Sequence, residues 1–278
     1  MSNNEKFYKS EVDFLRDYNP DDFEKLSLTT DILIFSVSSD TQRNYRKLPK
    51  KHFSVLLVKR GTYPFKNKWC LPGGFVGIKE NLEEAARRIL LNETNIDNVY
   101  LEQLYTFGQV DRDPRMRIVS TSYMALVDQK KLKGNLSENA AWFDITITEK
   151  GSNMKVALKS DQEKMEFVVE KKLKDESSFN YSYIVVENER LAFDHPLVIS
   201  TGIDRLRNKI EYTDVVFNMM PEYFTLGELQ LVYETILGER LLAPAFRRVI
   251  KDKVEKTDMI KKGGGHRPSV LYKYKSDH

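Results

Sequence analysis

The chain has 278 residues, 41% hydrophobic and 31% charged, a balance that fits one or two folded domains and excludes a disordered polypeptide. Its single cysteine, Cys70, excludes an internal disulfide and fits a reducing cytoplasm, and no Cys/His cluster suggests zinc. The net charge of +3 hides an asymmetry: residues 241–278 hold ten Lys/Arg against four Asp/Glu, a net of +6, on a body with a net of −3. The start, MSNNEKFYKSEVDFL, lacks an apolar secretory core, and no run approaches the ~18 apolar residues of a membrane span. A cytoplasmic protein with no membrane partner is the expectation.

In chain order, residues 5–27 are polar with scattered aromatics and predict an arm or short helix, so 1–28 is set apart as an N-terminal arm. Strand patterns follow at 30–37 (TDILIFSV), 54–59 (SVLLVK), 101–107 and 118–127, with a strand edge at 141–144. The last two long strands are joined by the loop QVDRDPR at 109–115. Residues 146–190 read as an insertion with three β-like pieces, 155–159, 165–172 and 181–187, expected as a small antiparallel meander on the rim of the first domain. The first domain is assigned to 29–194.

From His195 the period turns helical. A helix is expected over 196–210 and a shorter apolar piece at 213–220. Thr225 then opens TLGELQLVYETILG, with Glu228 in capping-box register and Gly238 as its stop. Pro244 opens a second helix, AFRRVIKDKVEK, whose buried side is expected to be Ala245, Phe246, Val249, Ile250 and Val254. That leaves Arg247, Arg248, Lys251 and Lys253 for solvent or phosphate. The glycines at 263–265 tip a basic hairpin carrying Lys261, Lys262, His266 and Arg267. Helix, helix and basic hairpin are the layout of a winged helix-turn-helix, so 195–278 is assigned as a DNA-binding domain whose contacts are those eight residues. His266 is read as a wing-tip contact and not as a titrating switch.

The most informative stretch is GFVGIKENLEEAARRILLNETNI at 74–96, preceded by WCLPG at 69–73. A glycine, five residues, Glu80, seven residues, Arg88 and a terminal Glu93 form a frame that resembles the Nudix box. The three box glutamates that hold a divalent metal fall on Ile89, Asn92 and Glu93. Helical residues advance by about 100°, so these three share one face, and that face keeps one carboxylate where Mg²⁺ or Mn²⁺ needs several oxygen ligands. Glu93, Glu80 and Arg88 are the residual catalytic candidates, Glu93 the one metal candidate, and Mg or Mn possible but not required. Glu80 and Arg88 are expected to pair with each other, as the family uses that pair to brace loop against helix.

With the winged helix behind it, the chain resembles the NrtR-type Nudix-related transcriptional regulators of bacteria. The likeness rests on PFKNKWCLPGGFV, VDRDPRMRIVSTSYMALV, LAFDH, YFTLGELQLVYETILG and GGGHRPSVLYKY. It implies an α+β protein: a Nudix α/β/α sandwich with the β-rich insertion, followed by the winged helix. It further implies a homodimer that binds operator DNA and senses ADP-ribose or a related metabolite. For that diphosphate the candidates are the backbone turn Gly73, Gly74 and Phe75 with Lys59, Arg60, Arg112, Arg115 and Arg117. The alternative is an active Nudix hydrolase of ADP-ribose or a similar nucleoside diphosphate derivative, drawing metal ligands from outside the box, such as Asp111 or Asp113.

Overall fold

The computed structural model of the protein describes residues 10–40, 49–95, 99–129, 136–175, 180–261 and 268–275. A short helix α1 (Glu11–Asp17) precedes β1 (Ser27–Ser39), β2 (Lys51–Lys59), β3 (Trp69–Cys70), β4 (Gly73–Phe75), α2 (Leu82–Thr94), β5 (Tyr100–Phe107), β6 (Ile118–Val127) and β7 (Ala140–Lys150). β8 (Asn153–Lys159), β9 (Lys164–Asp175), β10 (Asn180–Asn188) and α3 (His195–Tyr212) complete the first layer set. The sheet order is β10-β9-β8-β7-β2-β1-β6-β5, with β3 on β2 and β4 on β1. β1 and β6 run parallel at its centre, where both faces are covered.

That burial explains the apolar run in β1. Ile32 and Ile34 face α2 with Ala86, Ile89 and Leu90, while Leu33, Phe35 and Val37 belong to the core beneath α3. The period of two sends alternate residues to the two helical layers. α3 lies very close to β1, because a Cβ on Gly202 would stand 2.0 Å from Leu33 Cδ2. Any larger residue there would have to displace the buried Leu33 side chain.

The insertion and α3 sharpen what the sequence suggested. The insertion is the antiparallel meander expected at the rim, β8 to β9 to β10, but it is continuous with the main sheet: β7 runs on to Lys150 and pairs with β8 (Ile147 with Val156). Met154, Val156, Leu158, Met165, Phe167 and Val169 are buried in the core shared with α3, which extends a face already present. α3, expected with the C-terminal part, packs on β1, β5, β9 and β10 as well as on α4.

The C-terminal part comprises α4 (Leu226–Leu237), α5 (Ala243–Ile250) and a hairpin of β11 (Val254–Lys261) and β12 (Ser269–Tyr274). The Thr225–Glu228 capping box is present and Gly238 ends α4 at φ 80°, as the sequence predicts. α5 stops at Ile250, short of the expected 256, because Val254 pairs with Tyr274 across the hairpin. Its buried side is correspondingly narrow. Phe246 and Ile250 are buried, whereas Ala245 and Val249 are exposed.

Candidate functional site

A cleft of about 330 Å³ opens where β1, β2, β3 and β4 meet the loop before β6 and the start of α3. Its floor is Asp31, an acid inside the apolar β1 run. Ser120 donates to it at 2.5 Å, Arg112 approaches at 3.4 Å, and His195 Nε2 lies 3.7 Å away. Burial raises the Asp31 pKa, but His195, Ser120 and Arg112 outweigh it and hold the carboxyl below its usual range. His195 Nδ1 accepts the Leu71 backbone N–H at 2.9 Å, so the proton of a neutral ring sits on Nε2, facing Asp31. Gly73 pairs with Asp31 across β1 and β4. A Cβ there would stand 2.4 Å from Asp31 Oδ1 and 3.0 Å from the Thr30 carbonyl oxygen. The glycine turn is therefore what lets this backbone reach the pocket floor.

Phe193 forms one wall. Its φ of 53° is a left-handed value rare for a bulky residue, at a cost of about 1–3 kcal/mol. The Arg60 guanidinium lies 4.8 Å from the centre of its ring and that of Arg115 5.9 Å. Arg115 also lies 5.4 Å from the Phe75 ring. Two cations and two phenyl rings thus face one cleft, a surface suited to an anionic ligand with a flat ring.

The expected ligand residues divide. Lys59, Arg60, Gly73, Gly74, Phe75, Arg112 and Arg115 all line the cleft. Arg117 does not; it donates to the carbonyls of Gly108 and Gln109 and holds that loop. Arg112 is buried and committed, with two bonds to Asp194 at 2.7 and 2.9 Å. Lys59 pairs with Glu163 at 2.6 Å, which also accepts from the Trp69 indole. Burial raises the Asp113 pKa, but Arg115 bonds to it through side chain and backbone and holds it down. Asp31, Phe193 and His195, which line the cleft, and Asp194, which holds Arg112 from behind it, were not picked out from sequence. A lone acid within TDILIFSV was the available signal for the first.

Glu80 and Arg88 are placed outside the cleft and engage each other. Arg88 donates to both Glu80 oxygens at 2.6 and 2.9 Å and to the Phe75 carbonyl at 3.1 Å, and Glu80 accepts the Gly77 N–H at 2.7 Å. Arg88 draws the Glu80 pKa to about 2. The pair braces the loop against α2, the bracing role the resemblance implies, and neither residue lines the cleft. On the metal face, Ile89 is buried against the sheet, Asn92 is exposed, and Glu93 alone lines the cleft. Among the described residues no group of three acids, histidines or cysteines is placed to hold a metal. Of the two acids outside the box, Asp113 is bonded to Arg115, and Asp111 is exposed and does not line the cleft. This donor set does not fit the divalent ion of a Nudix hydrolase.

The second candidate surface is α5. Arg247, Arg248 and the following Lys251 are exposed. Lys251 sits in the turn after the helix. Two other expected DNA contacts are engaged internally: Lys253 pairs with Asp214 at 2.7 Å and Lys261 with Glu228 at 2.6 Å. Lys262, His266 and Arg267 lie outside the described residues. α3 connects the two surfaces. His195 in its first turn lines the cleft, Arg207 near its end donates to the Ile236 carbonyl of α4 at 3.0 Å, and Asp214 just beyond it accepts from Tyr274 at 3.0 Å.

A Nudix-type sandwich with a depleted metal face, joined to a winged helix, defines a class of sensor-regulator. Residues 46–159 match the NUDIX domain and residues 216–274 the NrtR DNA-binding winged helix domain. The chain is 35% identical over 273 residues to the ADPR responsive transcriptional repressor NtrR of Acinetobacter baylyi, covering 96% of this chain and 89% of that protein. A MutT/nudix family protein from Enterococcus faecalis superposes with a TM-score of 0.69 at 26% identity, covering 96% of this chain and 94% of that one. Shewanella oneidensis NrtR, crystallised with a 27mer DNA, superposes at 0.64 with 28% identity, covering 89% and 93%. The chain belongs to the NrtR family of Nudix-related transcriptional regulators. No described helix is long and apolar enough to cross a membrane.

Proposed function

We propose that this protein is a transcriptional regulator that binds operator DNA as a homodimer through α5 and the wing, and takes ADP-ribose or a closely related nucleotide in the Asp31 cleft with little or no turnover. The observation that carries this reading is the contrast between a metal face reduced to Glu93 and an α5 whose cations are exposed and uncommitted. Arg60 and Arg115 would meet the diphosphate beside the turn Gly73, Gly74 and Phe75, while Phe193 offers a face to the base. Arg247, Arg248 and Lys251 would contact DNA in the cytoplasm. Neither Mg nor Mn is required for binding.

Ligand and DNA can influence one another only if the ligand favours one arrangement of the domains. α3 is the natural carrier, since its first turn meets the cleft and Arg207 near its end holds α4. Anisotropy titration of a selected operator duplex, with and without ADP-ribose, tests the reading alongside a turnover assay in Mg²⁺ or Mn²⁺. The expected result is a ligand-dependent shift in operator affinity and turnover far below the ~1–10³ s⁻¹ usual for enzymes. Turnover in that range, with no preference for any duplex, would move the hydrolase reading ahead.

A further inference from the structure

The exposed side of α5 is not uniformly basic. Leu242, which caps the helix, is 78% exposed and Val249 59%, and Ala245 between them is exposed as well. At about 100° per residue these three fall within an arc of roughly 60°, and Arg248 comes next around the helix, about 60° from Ala245. Lys251 and Arg247 follow on the far side. Phe246 and Ile250 already anchor the helix to α4 and the domain core, so the apolar stripe is surplus to folding. An exposed leucine and valine gain nothing in water. Their position beside uncommitted cations on a helix of a winged helix-turn-helix selects the occupant.

In a major groove the apolar group on the base edges is the C5-methyl of thymine. We infer that Val249 and Ala245 read thymine methyl groups next to the position contacted by Arg248, with Leu242 closing the stripe toward the backbone. The inference rests on the reading that α5 enters the major groove. It adds a specificity element that charge does not supply, because phosphate contacts position a helix without naming bases. Each half-site then contains thymine under α5, adjacent to the Arg248 contact.

The test begins with in vitro selection of a duplex by the full-length protein. Each thymine of the selected site is then replaced by deoxyuridine, which removes only the methyl group, and affinity is measured for the unaltered protein and for Val249→Thr. The variant keeps the side-chain shape and replaces a methyl by a hydroxyl. For the unaltered protein one or two positions per half-site should weaken about fourfold, the value of one buried methyl, and Val249→Thr should respond less than twofold at those same positions. Affinity for random duplex should be equal for the two proteins. A selected site without thymine, a scan with no sensitive position, or sensitivity that persists undiminished in Val249→Thr overturns the inference while leaving the regulator reading standing. A change of oligomeric state in the variant, read by sedimentation, assigns the stripe to a second copy and overturns it too. Failure to select any duplex removes the regulator reading itself.

Discussion

The cations around the cleft and those on α5 live under opposite conditions. At the cleft Lys59 is held by Glu163, Arg60 by the Pro64 carbonyl at 2.7 Å, Arg112 by Asp194 and Asp31, and Arg115 by Asp113. On α5 and just after it, Arg247, Arg248 and Lys251 extend into water. A cation enclosed with carboxylates is part of the fold, and a ligand anion must compete with those carboxylates for it. A cation already in water meets phosphate with little rearrangement. The same residue type therefore answers to stability in one region and to recognition in the other.

The sharpest break of that comparison is Arg112→Ala. It strands Asp194 and Asp31, both buried, without their cation, and should cost about 3–5 kcal/mol in urea unfolding. Arg112→Lys should recover only part of this, since an ammonium cannot reproduce the two-pronged bond to Asp194. Wild-type stability in Arg112→Ala would mean that the cluster is solvated in the folded protein. The α5 counterpart is Arg248→Ala. Stability should stay within ~0.5 kcal/mol, while operator affinity should fall by about 1–3 kcal/mol if a paired guanine contact is lost. A fall in melting temperature without a change in binding would invert the comparison.

How much of this was legible in sequence follows the same line. Local chemistry read well: Glu80 and Arg88 sit eight residues apart and do pair, Thr225 and Glu228 do cap α4, and Gly238 does end it. Partners brought in from afar did not read. Asp31 and Asp194 close on Arg112 from strands and turns 81 and 82 residues distant, and no local pattern marks them. The basic run at 247–253 looked uniform because composition counts charges and not partners. Lys253 left that run once α5 ended at Ile250 and Asp214, 39 residues earlier, came within 2.7 Å. The insertion's antiparallel strands were legible, but its union with the main sheet was not, because outer-facing charges obscured an inner alternation that only the neighbouring β7 edge explains.

Lys253→Ala tests that reassignment. Its side chain is about one-quarter exposed and tied to Asp214 and to the Thr213 carbonyl, so its loss should lower stability by up to about 1 kcal/mol. The salt dependence of operator binding should not change, whereas loss of a phosphate contact reduces that slope by about one. A reduced slope at unchanged stability would return Lys253 to the DNA surface.

The smallest expected effect concerns Glu80, where the cation and carboxylate brace a surface loop. Its pKa, drawn to about 2 from the ordinary 4.5 by Arg88, makes its contribution depend on pH. Because the folded value is depressed, the contribution is complete above about 4.5 and disappears as pH falls through about 2. The stability gap between wild type and Glu80→Gln should therefore be full at neutral pH, narrow through the acid range and close at its bottom. Added salt should narrow it at neutral pH as well, since the pair is open to solvent. Urea unfolding across that range, at low and high salt, measures both trends. A gap that ignores pH and salt would show that the carboxamide loses a hydrogen-bond geometry at Gly77 and Arg88 and not a charge, which would remove electrostatics from the account of the Nudix loop.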